Sequence, residues 1–131
     1  MKILLDSGVW WRWVTNGPMH KSLSRFLEKE VSDYYLCPVS ILECYYKVAH
    51  RREPEPEIKD WKNLFLEGYK IAPISFEAAK LAGNWEWEHG DPCDRLITAV
   101  AAVERLPLVH TDKRLERLTG FPQRYFQNIQ L

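Results

Sequence analysis

Short apolar runs alternate with helix-period segments along this chain, and four acidic residues stand at the end of a run or in the opening turns of a helix. Asp6 closes the run Ile3-Leu4-Leu5, and Asp112 follows Leu106-Pro107-Leu108-Val109. Glu43 lies in the first turns of a helix that begins after Tyr34-Tyr35-Leu36-Cys37, and Asp94 opens the helix Leu96-Ile97-Thr98-Ala99-Val100-Ala101. Strands that alternate with helices form βαβ units and a mainly parallel sheet covered on both faces. In such a sheet the strand C-ends and the following helix N-ends share one rim, where ligands bind. The pattern therefore predicts a three-layer α/β/α sandwich with four or five strands, and four carboxylates on one rim. Carboxylates gathered so closely repel one another unless a cation neutralises them, which makes the rim a candidate divalent-metal site.

The predicted strands cover 2–6, 34–37, 71–74, 108–110 and 125–129. Helices are expected from Ser7, over 18–31, from Pro38 to Ala49, over 58–67 and 76–86, from Asp91 to about Arg105, and over 113–118. Pro38 suits a first helical turn, where its missing N–H costs nothing. Glu53-Pro54-Glu55-Pro56 stops the helix before it, Gly68 ends the next, and Ser75 is a good N-cap. No repeat or domain-scale linker interrupts the pattern, so residues 1–131 are expected to form a single domain.

The chain has 131 residues, of which 46% are apolar, enough to bury one core. No apolar stretch approaches the roughly 20 residues of a membrane span, and Met1–Leu5 is too short before Asp6 for a secretory signal. A cytoplasmic protein with no membrane partner is the expectation. Three cysteines without a C-x-x-C pair argue against both a disulfide framework and a zinc site. Formal net charge is zero, which counts against binding nucleic acid through a bulk positive field. Basic residues nonetheless cluster near the acids: Lys47, His50, Arg51 and Arg52, then Arg95, then Lys113, Arg114 and Arg117. A solvated helix face explains such runs equally well.

Each acid also has a plain structural role open to it. Asp91, Pro92 and Asp94 fit the N-cap, N1 and N3 positions of a helix, and capping is the better account of Asp91. Glu43 can pair with Lys47 four residues on. Asp6 and Asp112 can cap the helices they precede. Convergence on one rim is what distinguishes Asp6, Glu43, Asp94 and Asp112. Ser7 can hold a ligand water or phosphate oxygen, or cap a helix, and Arg95 can face a phosphate or pair with an acid. Trp10, Trp11 and Trp13 invite base stacking, although tryptophans this dense more often serve a core or a partner surface.

The runs Leu4-Leu5-Asp6-Ser7 and Ser40-Ile41-Leu42-Glu43, the block His89-Gly90-Asp91-Pro92-Cys93-Asp94-Arg95-Leu96-Ile97, and Leu108-Val109-His110-Thr111-Asp112 together resemble the PIN-domain family. Within it the chain is similar to the VapC-type toxins of type II toxin–antitoxin pairs, almost end to end. The block from His89 is the most specific piece and is similar to the D-P-F-D-R-L segment of one subgroup, with Cys93 in place of Phe. His110 stands where many members have Thr. The resemblance implies a metal-dependent endoribonuclease whose pocket is Asp6, Glu43, Asp94 and Asp112. Asp6 and Asp94 would be the principal ligands of Mg²⁺ or Mn²⁺, which activates water for attack at phosphorus. It further implies an RNA substrate, a homodimer, and a small antitoxin seated in a groove of the first helices, lined by Trp11 or Trp13.

Two other readings compete. A catalytically degenerate PIN-fold binding module would keep the fold and partner surface without turnover. A haloacid-dehalogenase-like phosphatase would need an acid at position 8, which is Gly8, and a convincingly placed later Lys.

Overall fold

The structure is a computed structural model that describes residues 1–50, 52–56 and 61–128. Strand β1 (Lys2–Leu5) leads into α1 (Ser7–Val14) and α2 (Lys21–Lys29). Then come β2 (Asp33–Leu36), α3 (Pro38–Ala49), a 3₁₀ turn (Trp61–Phe65) and β3 (Tyr69–Ile71). Helices α4 (Phe76–Asn84) and α5 (Pro92–Glu104) precede β4 (Leu108–His110), α6 (Lys113–Glu116) and β5 (Gln123–Tyr125). The sheet runs β3-β2-β1-β4-β5 and every pairing is parallel. This is the expected three-layer α/β/α architecture, with five strands.

Side chains alternate across each strand, so β1 feeds two cores. Ile3 and Leu5 face α1 and α2, packing with Val9, Trp10, Leu23, Phe26, Leu27 and Val109. Leu4 faces the other way, onto α4 and α5, with Ala78, Ile97, Val100 and Leu108. All three β1 residues are fully buried, each worth about 1.5–3 kcal/mol of transfer free energy. Helix α3 packs against both α1 and α5 and so straddles the rim.

The strand order reverses at β1, between β2 and β4, and there the rim residues emerge. Register pairs Leu5 with Leu36 on one side and with Val109 on the other. One further ladder bond, from the Asp6 N–H to the Val109 carbonyl at 3.1 Å, fixes Asp6 beside the end of β4.

Several boundaries differ from the sequence expectation. Strand β3 lies earlier than 71–74: Ala72 donates to the Leu36 carbonyl, and Pro73, with no N–H, ends the ladder. Strand β5 begins at Gln123 rather than Tyr125, and the end of the expected 125–129 strand lies outside the described residues. The expected 58–67 helix also falls partly outside them, and its described part is the 3₁₀ turn. Before β5, Gly120 adopts φ +101°, and a Cβ there would meet the Trp85 ring at 2.9 Å, so the turn requires glycine. Among the described residues, no helix is long and apolar enough to cross a membrane.

Candidate active site

Asp6 precedes α1 in extended backbone and makes no side-chain cap bond to it, although its carboxylate lies beside the first turn, within 3.6 Å of where a Cβ on Gly8 would stand. Burial and then the nearby charge of Asp94 raise its pKa, against the pull of the Ser7 and Gly8 backbone N–H groups. Glu43, half-buried in the second turn of α3, is pushed up to about 7 by burial and by Asp6, with Asp94 and Asp91 adding and Lys47 opposing. Asp94 is also raised, chiefly by burial. These three side chains thus feel one another, as the rim hypothesis requires.

Asp112 behaves differently. Its carboxylate caps α6, accepting from the Arg114 backbone N–H at 2.8 Å, and pairs with the Arg114 guanidinium at 3.0 Å. Burial raises its pKa, but the hydrogen bonds and charge of Arg114 outweigh that and leave it lowered. It still stands close enough to act on Asp94. The expected ring of four is therefore three strained carboxylates and one satisfied neighbour.

Asp91 is the N-cap of α5, accepting from the Cys93 and Asp94 backbone N–H groups at 2.9 and 3.2 Å, as capping predicts. Ser7 is buried in the first turn of α1. Arg95 lies elsewhere than expected. Its guanidinium donates to the Ala82 carbonyl at 2.9 Å, to those of Trp87 and His89 at 3.1 and 3.0 Å, and to that of Trp85. With four carbonyls as partners, it holds the segment between α4 and α5 in place.

That segment carries a residue the sequence analysis noted only as part of a motif. His89 Nε2 lies 2.8 Å from Asp94 Oδ2, with both side chains largely buried. The contact orients one Asp94 oxygen and leaves the other for a ligand, as outer partners of metal-binding carboxylates do. No spacing rule would have found it, because the loop between them sets the geometry. His110 is fully buried; its Nδ1 accepts the Asp112 N–H at 3.1 Å, so the proton sits on Nε2, which donates to Gln123 Oε1 at 2.7 Å. It positions Asp112 from behind. Trp10 is fully buried and stacks on Phe65 at 4.1 Å, which makes it core.

Two cavities flank the strained acids. One, about 280 Å³, lies between α3 and α5 and is lined by Leu42, Glu43, Tyr46, Lys47, Arg52, Asp91 and Cys93. The other, about 240 Å³, lies between α1 and α3 and is lined by Ser7, Gly8, Trp11, Arg12, Cys44, Lys47, Glu53 and Asn128.

The donor chemistry fits a hard divalent cation, since the convergent groups are carboxylate oxygens that destabilise one another without one. As placed, Asp94 leans on His89 and Asp112 on Arg114. Among the described residues, no three His, Cys, Asp or Glu side chains close around one point. Mg²⁺ needs no such cage, because it keeps several waters and takes only one or two carboxylates directly.

Among solved structures, VapBC2 from Rickettsia felis, bound to a DNA fragment from their promoter, has a chain similar in fold. Its TM-score is 0.73 at 19% identity, covering 97% of this chain and 100% of that one. DNA-bound VapBC from Salmonella typhimurium gives 0.67 at 20% identity, with 95% and 98% covered. VapBC-5 of the VapBC family of toxin–antitoxin systems, from Mycobacterium tuberculosis, gives 0.60 at 16%, with 96% and 98% covered. At such identities the likeness is one of fold. No curated protein matches the chain. A family model described as the PIN domain matches residues 3–120, from the first buried residue of β1 to the glycine before β5. The match takes in all four rim acids and the loop that braces Asp94: the chain belongs to the PIN-domain family.

Proposed function

We propose that this chain is a divalent-metal-dependent endoribonuclease and the toxin of a type II toxin–antitoxin pair. In this reading it works as a homodimer neutralised by a small antitoxin. Membership of the PIN-domain family supports nuclease chemistry, and the likeness in fold to chains of VapBC complexes supports an antitoxin partner. Exposed apolar side chains at Leu66, Ile71, Ile74 and Phe76, around the outer edge of β3, offer surface for a partner to cover.

The observation that carries the catalytic reading is Glu43 at about 7, raised together with Asp6 and Asp94. Three half-buried carboxylates in mutual repulsion are a site waiting for positive charge. Asp6 and Asp94 would hold Mg²⁺ or Mn²⁺, with Glu43 and Asp112 completing the shell directly or through water. Such an ion supplies Lewis acidity, activating water for attack at phosphorus and offsetting charge on the phosphoryl oxygens. With its pKa at about 7, Glu43 would be partly protonated near neutral pH without a cation, and binding one would displace that proton, coupling metal uptake to proton release. His89 keeps Asp94 in its rotamer, and Ser7 at the start of α1 would hold a phosphate oxygen. The protein then supplies position and charge rather than a nucleophile of its own.

The test is cleavage of RNA in Mn²⁺ or Mg²⁺, with growth arrest on induction. Asp6→Asn or Asp94→Asn should abolish both while leaving the far-UV circular dichroism unchanged. Full activity in both variants would sink the assignment, and absence of Mn²⁺ binding by calorimetry near neutral pH would favour the degenerate binding module.

A further inference from the structure

A polyanionic strand must approach three carboxylates, so some cation of this chain has to receive it. Most cations near the rim already have a task. Arg95 is committed to four carbonyls of the α4–α5 segment. Arg114 is bound to Asp112. Arg12 donates to the Gly8 carbonyl, to Thr111 Oγ1 and to Asn128 Oδ1, tying α1 to the end of β4 and to the chain beyond β5. Arg52 lies over the Tyr46 ring, 5.3 Å from its centroid.

Lys113 and Arg117, exposed at either end of α6, line neither cavity beside the acids, whereas Lys47 lines both. Among the described residues its ammonium makes no hydrogen bond or ion pair with a side chain. Its charge is nevertheless felt by Glu43, one turn back on α3. It is also the residue that both cavities share: Glu43, Tyr46 and Arg52 line one beside it, and Ser7, Arg12 and Asn128 line the other. Its position is fixed from below, since the Lys47 carbonyl accepts the N–H groups of both Arg52 and Glu53 at 2.8 and 3.2 Å. One cavity offers an aromatic ring and an apolar wall from Leu42 and Tyr46, suited to a base; the other is the more polar, suited to sugar and phosphate.

We propose that the RNA strand crosses the rim over α3, the nucleotides on either side of the cleaved linkage lying in the two cavities, with Lys47 as the phosphate contact between them. The proposal rests on the nuclease reading and deepens it by giving the strand a path and an anchor. Lys47 acts as a point charge on a flexible stem, which tolerates any base sequence, and specificity is left to the cavity walls.

The experiment uses the Asp94→Asn chain, which is expected to bind without cutting, and a short fluorescein-labelled oligouridylate read by anisotropy over a series of KCl concentrations. Adding Lys47→Ala should weaken binding about tenfold and flatten the slope of log K against log salt by about 0.7, the loss of one single-strand phosphate contact. Lys47→Arg should restore both. The otherwise wild-type chain is assayed for RNA cleavage in Mn²⁺ alongside. If it cleaves while Lys47→Ala leaves affinity and slope unchanged, the strand path is wrong and the nuclease reading stands. If Lys47→Ala in the otherwise wild-type chain alters Mn²⁺ affinity while leaving the salt slope of the Asp94→Asn chain unchanged, Lys47 acts only through Glu43 and the path is again wrong. If the wild-type chain neither binds nor cleaves RNA, both fall.

Discussion

Asp112 and Glu43 stand at opposite sides of the same rim and have opposite electrostatic fates. Asp112 finds its counter-charge two residues away in Arg114 and its hydrogen bonds in the helix it caps, and its pKa falls. Glu43 has Lys47 one turn along, too far for an ion pair, and faces Asp6 and Asp94 besides burial; it rises to about 7. Proximity of acids does not by itself define a metal site. The informative part is the part the protein leaves unbalanced, because there the fold gives up stability that an external cation can return.

The sharpest way to break this contrast is to compare ligand substitutions on the two sides. Asp94→Asn should abolish Mn²⁺ binding by calorimetry, whereas Asp112→Asn should weaken it by only about tenfold, since Asp112 acts through Asp94 and water. Equal losses would mean that Arg114 releases Asp112 when a cation arrives. Next in size is His89→Ala, expected to lower Mn²⁺ affinity by about 10–100-fold, with partial recovery in His89→Gln, which keeps a donor.

The pH dependence of stability tests the strained side alone. A carboxyl whose folded pKa lies above its unfolded value binds more protons folded than unfolded between the two values. Stability must therefore fall as pH rises from Glu43's ordinary 4.5 to about 7, and stay low above that. In urea titrations of the metal-free protein this loss should be on the order of 2 kcal/mol, with Asp6 and Asp94 contributing in the same direction. Glu43→Gln should remove most of it, and Mn²⁺ should restore stability at pH 7 in the wild type only. Smallest is the N-cap of α5: Asp91→Ala should cost about 1 kcal/mol of stability in urea titrations.

The sheet was legible because β1 is so plainly a buried run ending in an acid, and because Pro38 and Asp91-Pro92 mark helix starts by local backbone chemistry. The ends of β3 and β5 were not, since Pro73 and the pairing of Leu108 with Gln123 decide them through the neighbouring strand. The rim acids could be placed by topology alone. Their division into three and one could not, because it turns on whether Arg114 folds back on Asp112. Arg95 misled for a related reason. Its place after Asp94 suggests the rim, yet consecutive helix residues point about 100° apart, and the guanidinium reaches away into the loop.

That divergence has a mechanical consequence. Asp94 and Arg95 are neighbours in the chain, and the loop returns to each of them: Arg95 grips the His89 carbonyl while the His89 ring meets Asp94. The two contacts close a small loop of covalent and hydrogen bonds, a truss in which no member shifts without straining the others. Lengthening residues 85–88 by even one position would slide the carbonyls off the guanidinium and swing the imidazole from the carboxylate. A carboxylate so braced is held at one angle, and the same bracing makes this short connection intolerant of insertion.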